Sequence, residues 1–568
     1  MPRSSPRSSP GSSPRSSFTA AAREPWTLIG GSEGRVDTLD NAHCDPGVCW
    51  TTGNVADAFP GLFATFTFSF VHEPMEIAMR RMFHTLGVFT DDDLDVSPRV
   101  EEQFWNAFAG RAAANIDQFR RVAGFIPGTS ATAIEQQLFG YVRPETVDEN
   151  TMRRYPAILT RAPRAIVTLP KRHDAMFADL RSWRLASLRG APQLDEAGCL
   201  ELIADAKYRF GRFMLEHLIV AFVSSGLADR LTELTVKAGL PGLESRLLSG
   251  VGSDENEVAN DLWELAHERL SLKVFLDRHG YHGPNEGQIS GVSWREDPAP
   301  VLTRLADYRA IAADDPRAPR NRSAAQARLR AEAAAELGGT SKVVGAQVRV
   351  LVKLTARFLA LREQGKAGYL LTFDVVKAAC RRLGDLLVER GVLTDREDVF
   401  HLTHGELAGG LQNLPEGLSV PELVARRRAL FDERQDLRLP QAWTGVPVLS
   451  KVESAPSEGS PVGSVVTGLA ASSGVVEGRA RVVRDPATAE FDDGDILVCE
   501  NTDPGWISLF LVAAAVVTDQ GGMLSHGPIV ARELGLPCVC GTEDGSRRIA
   551  DGQQVRVDGD AGTVTVLG

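Results

Sequence analysis

TDQGGMLSHGPIVARELGLP, Thr518 to Pro537 of a 568-residue chain, sets a histidine after two glycines and a serine and then starts a helix from it. The apolar run before it, Leu509 to Val517, reads as a buried strand. Ile529 to Leu534 is helical in composition, with Gly535 placed as a C-terminal stop and Pro537 beyond it. His526 is therefore expected at a strand-to-helix turn, with Pro528 in the first helical turn. A helix start offers unpaired backbone N–H groups and the positive end of the helix dipole, and both favour an anion. Gly521 and Gly522 let the backbone pass close to what binds there. A neutral imidazole at such a place is a nucleophile whose phosphorylated form those N–H groups would hold.

Two other readings compete. His526 could simply cap the helix or fill a polar corner. A serine–histidine hydrolase dyad needs the two side chains aimed at each other, which adjacent residues rarely achieve, and no G-x-S-x-G elbow is present. The agreement of glycines, serine, helix start and helix stop favours phosphate.

Thr502-Asp503-Pro504, Thr518-Asp519 with Gly521-Gly522, Ser525-His526 and Ile529-Val530-Ala531-Arg532-Glu533 resemble the swivelling phosphohistidine domain of the phosphoenolpyruvate synthase, pyruvate phosphate dikinase and rifampin phosphotransferase superfamily. GLAASSGVVEGRARVV (Gly468 to Val483) and the terminal DGQQVRVDGDAGTVTVLG follow the same pattern. The resemblance implies that His526 carries the phosphoryl group, with Ser525, Arg532, Gly521 and Gly522 stabilising it. One departure is Gly527-Pro528, where relatives often have two alanines.

A net charge of -12 argues against nucleic acid as the main partner, and no run of eighteen or more apolar residues marks a membrane span. Hydrophobic content of 43% and charged content of 24% are those of an ordinary globular protein. Seven cysteines, an odd number with no secretion signal, suggest a reducing cytoplasm. Cys538 and Cys540 are expected on one face of a strand, in the core, and no cysteine set suits a metal.

The chain divides into four parts. Residues 1–24, rich in Arg, Ser and Pro, cannot bury a core and are expected to be disordered. Residues 25–445 show mainly helical periodicity, as in EEQFWNAFAGRAAANIDQFRRVAGF and the stretch from Ala346 to Gly391, with breaks at Pro127-Gly128, Gly283-Pro284 and Gly338-Gly339. Residues 446–464 read as a flexible Ser/Pro/Gly linker. Residues 465–568 carry short strands at Val475–Val483, Asp495–Glu500, Ala513–Thr518, Pro537–Gly541 and Val555–Val566, the last broken by a hairpin turn at 558–562. The fold class is thus a mainly α-helical domain followed by a small α/β domain.

NVADAFPGLFATFTFSF, FIPGTSATAIEQQLFG, RHGYHGPNEGQISGVSWREDP and REDVFHLTHGEL, in this order, resemble the substrate domain of rifampin phosphotransferase-like proteins. Relatives have Gly-His-Arg-Gly before a glutamate, whereas this chain has Gly280-Tyr281-His282-Gly283 before Glu286. His279, His282, Glu286 and Arg295 are the polar candidates for a substrate pocket. His401 and His404 with Glu406 read as a solvated face.

Enzymes of this superfamily usually open with an ATP-grasp domain. Neither that domain nor a G-x-x-x-x-G-K-[ST] loop is expected here. The resemblance therefore implies the histidine-carrying component of a split, dikinase-type ATP-dependent phosphotransferase acting on a small organic hydroxyl or enol. A separate ATP-grasp subunit would supply ATP and Mg²⁺. One alternative is a dehydratase or lyase that uses His526 directly or through a phosphorylated intermediate, and another is a non-catalytic regulatory relic.

Overall fold

A computed structural model of the chain describes residues 35–568 except 42–43, 54, 56–58, 60, 127–129, 133–134, 136–150, 251–253, 313, 316–317, 452–458, 485, 487–488, 503 and 523–524. The Arg/Ser/Pro-rich tail, the break at Pro127-Gly128 and the centre of the linker stretch lie outside the described residues.

The principal helices of the first part are α1 (Thr65–Thr85), α2 (Tyr155–Gly190), α3 (Glu196–Lys237), α4 (Asp254–Ala266), α5 (Leu272–His279), α6 (Ala299–Ala310), α7 (Pro319–Gly338) and α8 (Lys342–Glu389). Helix α8 is buried on every side from Ala367 to Lys377, as expected of a stretch that is apolar all round. It lies along α3, and the aromatic rings of Phe210 and Phe373 stack there at 5.6 Å. By length and hydropathy α3 could cross a membrane, but Cys199, Ile203, Phe210, Phe213 and Met214 on it pack into the protein core.

One stretch read as helical is a hairpin. Trp105–Phe108 (β2) and Arg111–Asn115 (β3) pair antiparallel, and β3 pairs β1 (Cys49–Thr51). Alanine-rich composition favours a helix locally. The turn at Ala109-Gly110, with positive φ at both residues, and burial of all four β2 residues override that preference. Strand β1 also pairs Ala442–Thr444 (β5), so the two ends of the helical region meet in one four-stranded sheet, β2-β3-β1-β5. Leu437–Arg438 (β4) pairs Ser450–Lys451 (β6), within the stretch read as linker.

The C-terminal part is an eight-stranded sheet in the order β7-β14-β13-β9-β10-β11-β12-β8. Its strands are β7 (Val465–Thr467), β8 (Leu469–Ser472), β9 (Val475–Val482), β10 (Ile496–Cys499), β11 (Ala515–Thr518), β12 (Cys538–Cys540), β13 (Gln554–Asp558) and β14 (Thr563–Val566). β9 to β12 run parallel through β10 and β11, and β13 and β14 form the expected hairpin. The apolar run before the histidine is not one strand. Ile507–Phe510 is a short helix and only Ala515–Thr518 joins the sheet. A continuous apolar run fits either element, and here Leu511 to Ala514 turn the chain between them.

The two parts share a core. Val258, Leu262, Phe275, Trp294 and Tyr308 of the helical part pack in one apolar cluster with Phe491, Ile507, Phe510, Val530 and Cys538 of the C-terminal part. Across the same joint Tyr308 Oη donates to the Ser508 carbonyl at 2.8 Å, and the Arg304 guanidinium donates to the carbonyls of Ala489 and Phe491, each at 2.8 Å.

Candidate functional site

The parallel strands β10 and β11 deliver two loops to one edge of the sheet. The first carries Thr502, and the second leads into helix α9 (His526–Leu534). Ser525 is the residue before the helix, with extended backbone, but its side chain does not cap it. The Ser525 hydroxyl donates instead to the Gly522 carbonyl at 2.7 Å, which closes the turn on itself. Gly521 has φ of 103°, and a Cβ there would lie 2.3 Å from Ser525 Oγ, so this position requires glycine. Gly522 carries no such requirement. Gly535 ends the helix in the left-handed conformation, as its position in the sequence implies.

His526 is buried, with Thr502 Oγ1 3.0 Å from its Nδ1 and the Phe510 ring edge-on at 6.0 Å. These two neighbours fix the plane of the imidazole. A Cβ on residue 527 would come within 3.0 Å of Thr502 Oγ1, so the departure to Gly527 gives Thr502 room over the helix start. Burial pushes the His526 pKa well below its ordinary value, and the positive charges of Lys366 and His282 push it the same way. The ring is therefore neutral, with a proton on one nitrogen only. Lys366 on α8 and His282 after α5 belong to the helical part, so His526 sits at the joint and faces that part.

Arg532 is placed differently. Six residues along a helix turn it about 120° away from His526. Its Nε donates to the Pro528 carbonyl at 3.1 Å, and burial lowers its pKa in a setting of Cys538, Glu533 and Cys540. Asp519, next to the glycine turn, accepts from the Ser546 N–H at 2.8 Å and Thr542 Oγ1 at 3.0 Å, which ties β11 to the loop after β12.

The four polar candidates of the helical part fall into one loop but into separate pairs. His279 Nε2 is 2.8 Å from Asp261 on α4. His282 Nδ1 is 2.9 Å from Glu286, with both side chains buried. Arg295 donates to Asp374 at 2.9 Å, and Arg184 Nε donates to the other oxygen of that carboxylate at 2.7 Å. Burial raises the Asp374 pKa, but Arg184 and Arg295 overcome this and hold it below the usual carboxylate range. His401 and His404 do not form a solvated face: burial lowers both, and Glu406 beside them is paired with Arg427 at 2.7 and 2.8 Å.

Sequence reading did not assign Thr502, Asp261, Arg184, Lys366 or Asp374. Asp374 had a usable signal, since it is a lone carboxylate inside the apolar run YLLTFDVV. Arg184 and Lys366 lie on polar-rich helix turns that look like any solvated face.

Residues 491–562 match the PEP-utilising enzyme mobile domain, and residues 221–363 match the rifampicin phosphotransferase fourth domain. The C-terminal part is thus similar to the mobile domain of PEP-utilising enzymes, and the middle of the helical part to a domain of rifampicin phosphotransferases. It is similar to a rifampicin phosphotransferase of Streptomyces sp, 35% identical over 311 residues, which are 53% of this chain and 35% of that protein. It is similar also to a rifampicin phosphotransferase of Bacillus cereus, 30% identical over 53% of this chain and 34% of that protein. An uncharacterised phosphotransferase of Bacillus subtilis is 39% identical over 33% of this chain and 23% of its own length. The chain spans about a third of the length of the rifampicin phosphotransferases it matches.

Proposed function

We propose that the chain is the phosphohistidine-carrying component of an ATP-dependent phosphotransferase of dikinase type, with His526 as the carrier and a small organic hydroxyl or enol as acceptor. The observation that carries this reading is the geometry of one imidazole. It is neutral, fixed by Thr502, set at an uncapped helix start and turned toward the helical part. Uncapped N–H groups at that helix start suit the charge of a phosphoryl group. Ser525 and Gly521 act by holding the turn, and Arg532 by bracing α9 from its other side.

In this reading a separate ATP-grasp subunit charges His526 from ATP. Mg²⁺ belongs with the nucleotide on that subunit. Among the described residues no group of three or more His, Cys, Asp or Glu side chains is arranged to hold a metal. The compartment is the cytoplasm, as the free cysteines suggest.

A second reading, elimination of water, draws support from the two carboxylate-braced imidazoles, His279 with Asp261 and His282 with Glu286, which are equipped for proton transfer. The test is incubation with an ATP-grasp partner, Mg²⁺ and labelled ATP. The carrier reading expects an acid-labile, base-stable label on His526 and a phosphate ester as product. Turnover to an alkene without label would favour elimination.

A further inference from the structure

Exposed apolar side chains gather on two neighbouring helices of the helical part. Leu159 and Val167 on α2, Met152 just before it, and Val343, Val350 and Leu354 on α8 are between 46% and 79% exposed. Single apolar residues scattered over a surface need no explanation, but aligned ones do. Helices α2 and α8 run in the same direction: Arg184 meets Asp374, and earlier on both helices Asp174 pairs with Arg357. Seven residues are two turns and bring a side chain back to the same side of a helix within about 20°. Val167 stands seven residues before Asp174, and Val350 and Val343 stand seven and fourteen before Arg357. These side chains therefore line up with the ion pair that spans the two helices. Beneath them Ala165 and Leu169 of α2 share an apolar cluster with Phe358 and Leu361 of α8. The result is an open furrow with an apolar lining, closed at one end by Asp174 and Arg357 and about 20 Å long from Met152 to Val167.

The furrow is basic, on an acidic protein. Residues 151–173 hold six Arg or Lys and no Asp or Glu, and residues 342–362 hold five and none, although the whole chain carries a net charge of -12. Arg153, Arg164 and Lys171 on one side and Arg349 and Lys353 on the other are exposed and make no ion pair among the described residues. Like charge gathered beside exposed apolar surface opposes itself in the free chain and favours a partner that is both apolar and acidic.

The shape narrows the choice. A helix laid in a furrow buries residues at i, i+3, i+4 and i+7 and turns its flanks to the rims. Pairing of this face with a second copy about a two-fold axis would set basic rim on basic rim. A lipid surface is flat and meets rims more readily than a lining. We propose that the furrow between α2 and α8 docks an acidic amphipathic helix of a separate protein, about four turns long, with its apolar side chains along the lining and its carboxylates against the basic rims. The docking is independent of the chemistry at His526.

The test uses the full chain and labelled peptides of about eighteen residues, enough for four to five turns, read by fluorescence anisotropy. One peptide has Leu at the a and d positions of a heptad, Glu beside them and Ala elsewhere; the second is its scrambled form; the third has Lys in place of Glu. The first should saturate the chain at least about tenfold more tightly than either of the others, and should weaken as salt is raised. Val167→Ser combined with Val350→Ser should weaken it about tenfold or more. Lys171→Glu combined with Lys353→Glu should reverse the preference, so that the Lys peptide binds the better. All four positions are exposed, so the unfolding midpoint should stay where it is. An acidic peptide that binds no better than its scrambled form, or that binds the substituted chains as well as the unaltered one, overturns the proposal. Capture of the chain by phosphatidylglycerol vesicles that Val167→Ser with Val350→Ser abolishes would overturn it in favour of a membrane surface. Self-association in sedimentation that the same pair reverses would overturn it in favour of a second copy.

Discussion

The turn at His526 and the loop from His279 to Arg295 both bury imidazoles, and they hold them by different means. At His526 the backbone does most of the work: a glycine turn, an uncapped helix start and one threonine hydroxyl. In the loop, side chains do it, and each imidazole leans on a carboxylate from α4 or from its own loop. A site built from backbone leaves its mark in consecutive residues, because glycine, serine and proline must fall at set positions. A site built from side chains draws on distant helices and leaves almost none.

His526→Ala is the sharpest way to break this contrast. It should reduce phosphoryl uptake from the partner to background, while circular dichroism and the unfolding midpoint change little, since the backbone turn survives without the ring. Retained uptake would show that the turn is structural only.

Asp374→Ala comes next. It leaves Arg184 as an uncompensated charge in the core and Arg295 with Glu296 alone, and breaking such a buried pair costs about 3–5 kcal/mol. Urea unfolding should show the midpoint fall accordingly. A change below about 1 kcal/mol would mean that water reaches the guanidinium groups.

The third expectation concerns pH. Burial lowers His72 and His173 to about 4 and His217 to about 3. The unfolded chain binds protons on these residues near pH 6.5 while the folded chain refuses them. Stability is therefore fully present above pH 6.5 and falls as pH drops toward 4, by up to about 1.4 kcal/mol per pH unit for each histidine. Thermal melts at pH 7.5, 6 and 5 would reveal this, and a flat profile would show that these rings reach solvent.

The smallest effects sharpen the comparison within the turn itself. Thr502→Val removes the bond that orients the His526 ring and should slow phosphoryl uptake about 10-fold to 100-fold. Ser525→Ala removes only the hydroxyl that closes the turn on the Gly522 carbonyl, a neutral bond of about 1 kcal/mol, and should slow uptake only about fivefold. Stopped-time labelling of both variants checks the order; if Ser525→Ala is the slower, the turn and not the threonine sets the ring.

How much the sequence discloses follows the same division. Strand β9, the hairpin of β13 and β14, the start and stop of α9 and the inward face of Cys538 and Cys540 were all legible, because period-two patterning and turn residues are local signals. The hairpin at Trp105–Asn115 was hidden by alanines whose local preference is helical and whose strand state depends on pairing with β1, far away in sequence. The short helix Ile507–Phe510 was hidden by an unbroken apolar run. Among the candidate residues, His526 could be placed by its neighbours in sequence. The division of His279, His282 and Arg295 into three pairs depends on Asp261, Glu286 and Asp374, two of which stand on other helices.

The apolar joint between α4, α5, α6 and the C-terminal sheet has a thermal consequence. If His526 is to leave the helical part and meet a charging subunit, Trp294, Tyr308, Ile507 and Phe510 must lose contacts that are now dry. Exposing apolar surface to water raises the heat capacity, and the drive to rebury it weakens on cooling. The balance between docked and released carrier should therefore tilt toward release in the cold and respond only weakly to salt, the opposite of a joint held by exposed ion pairs.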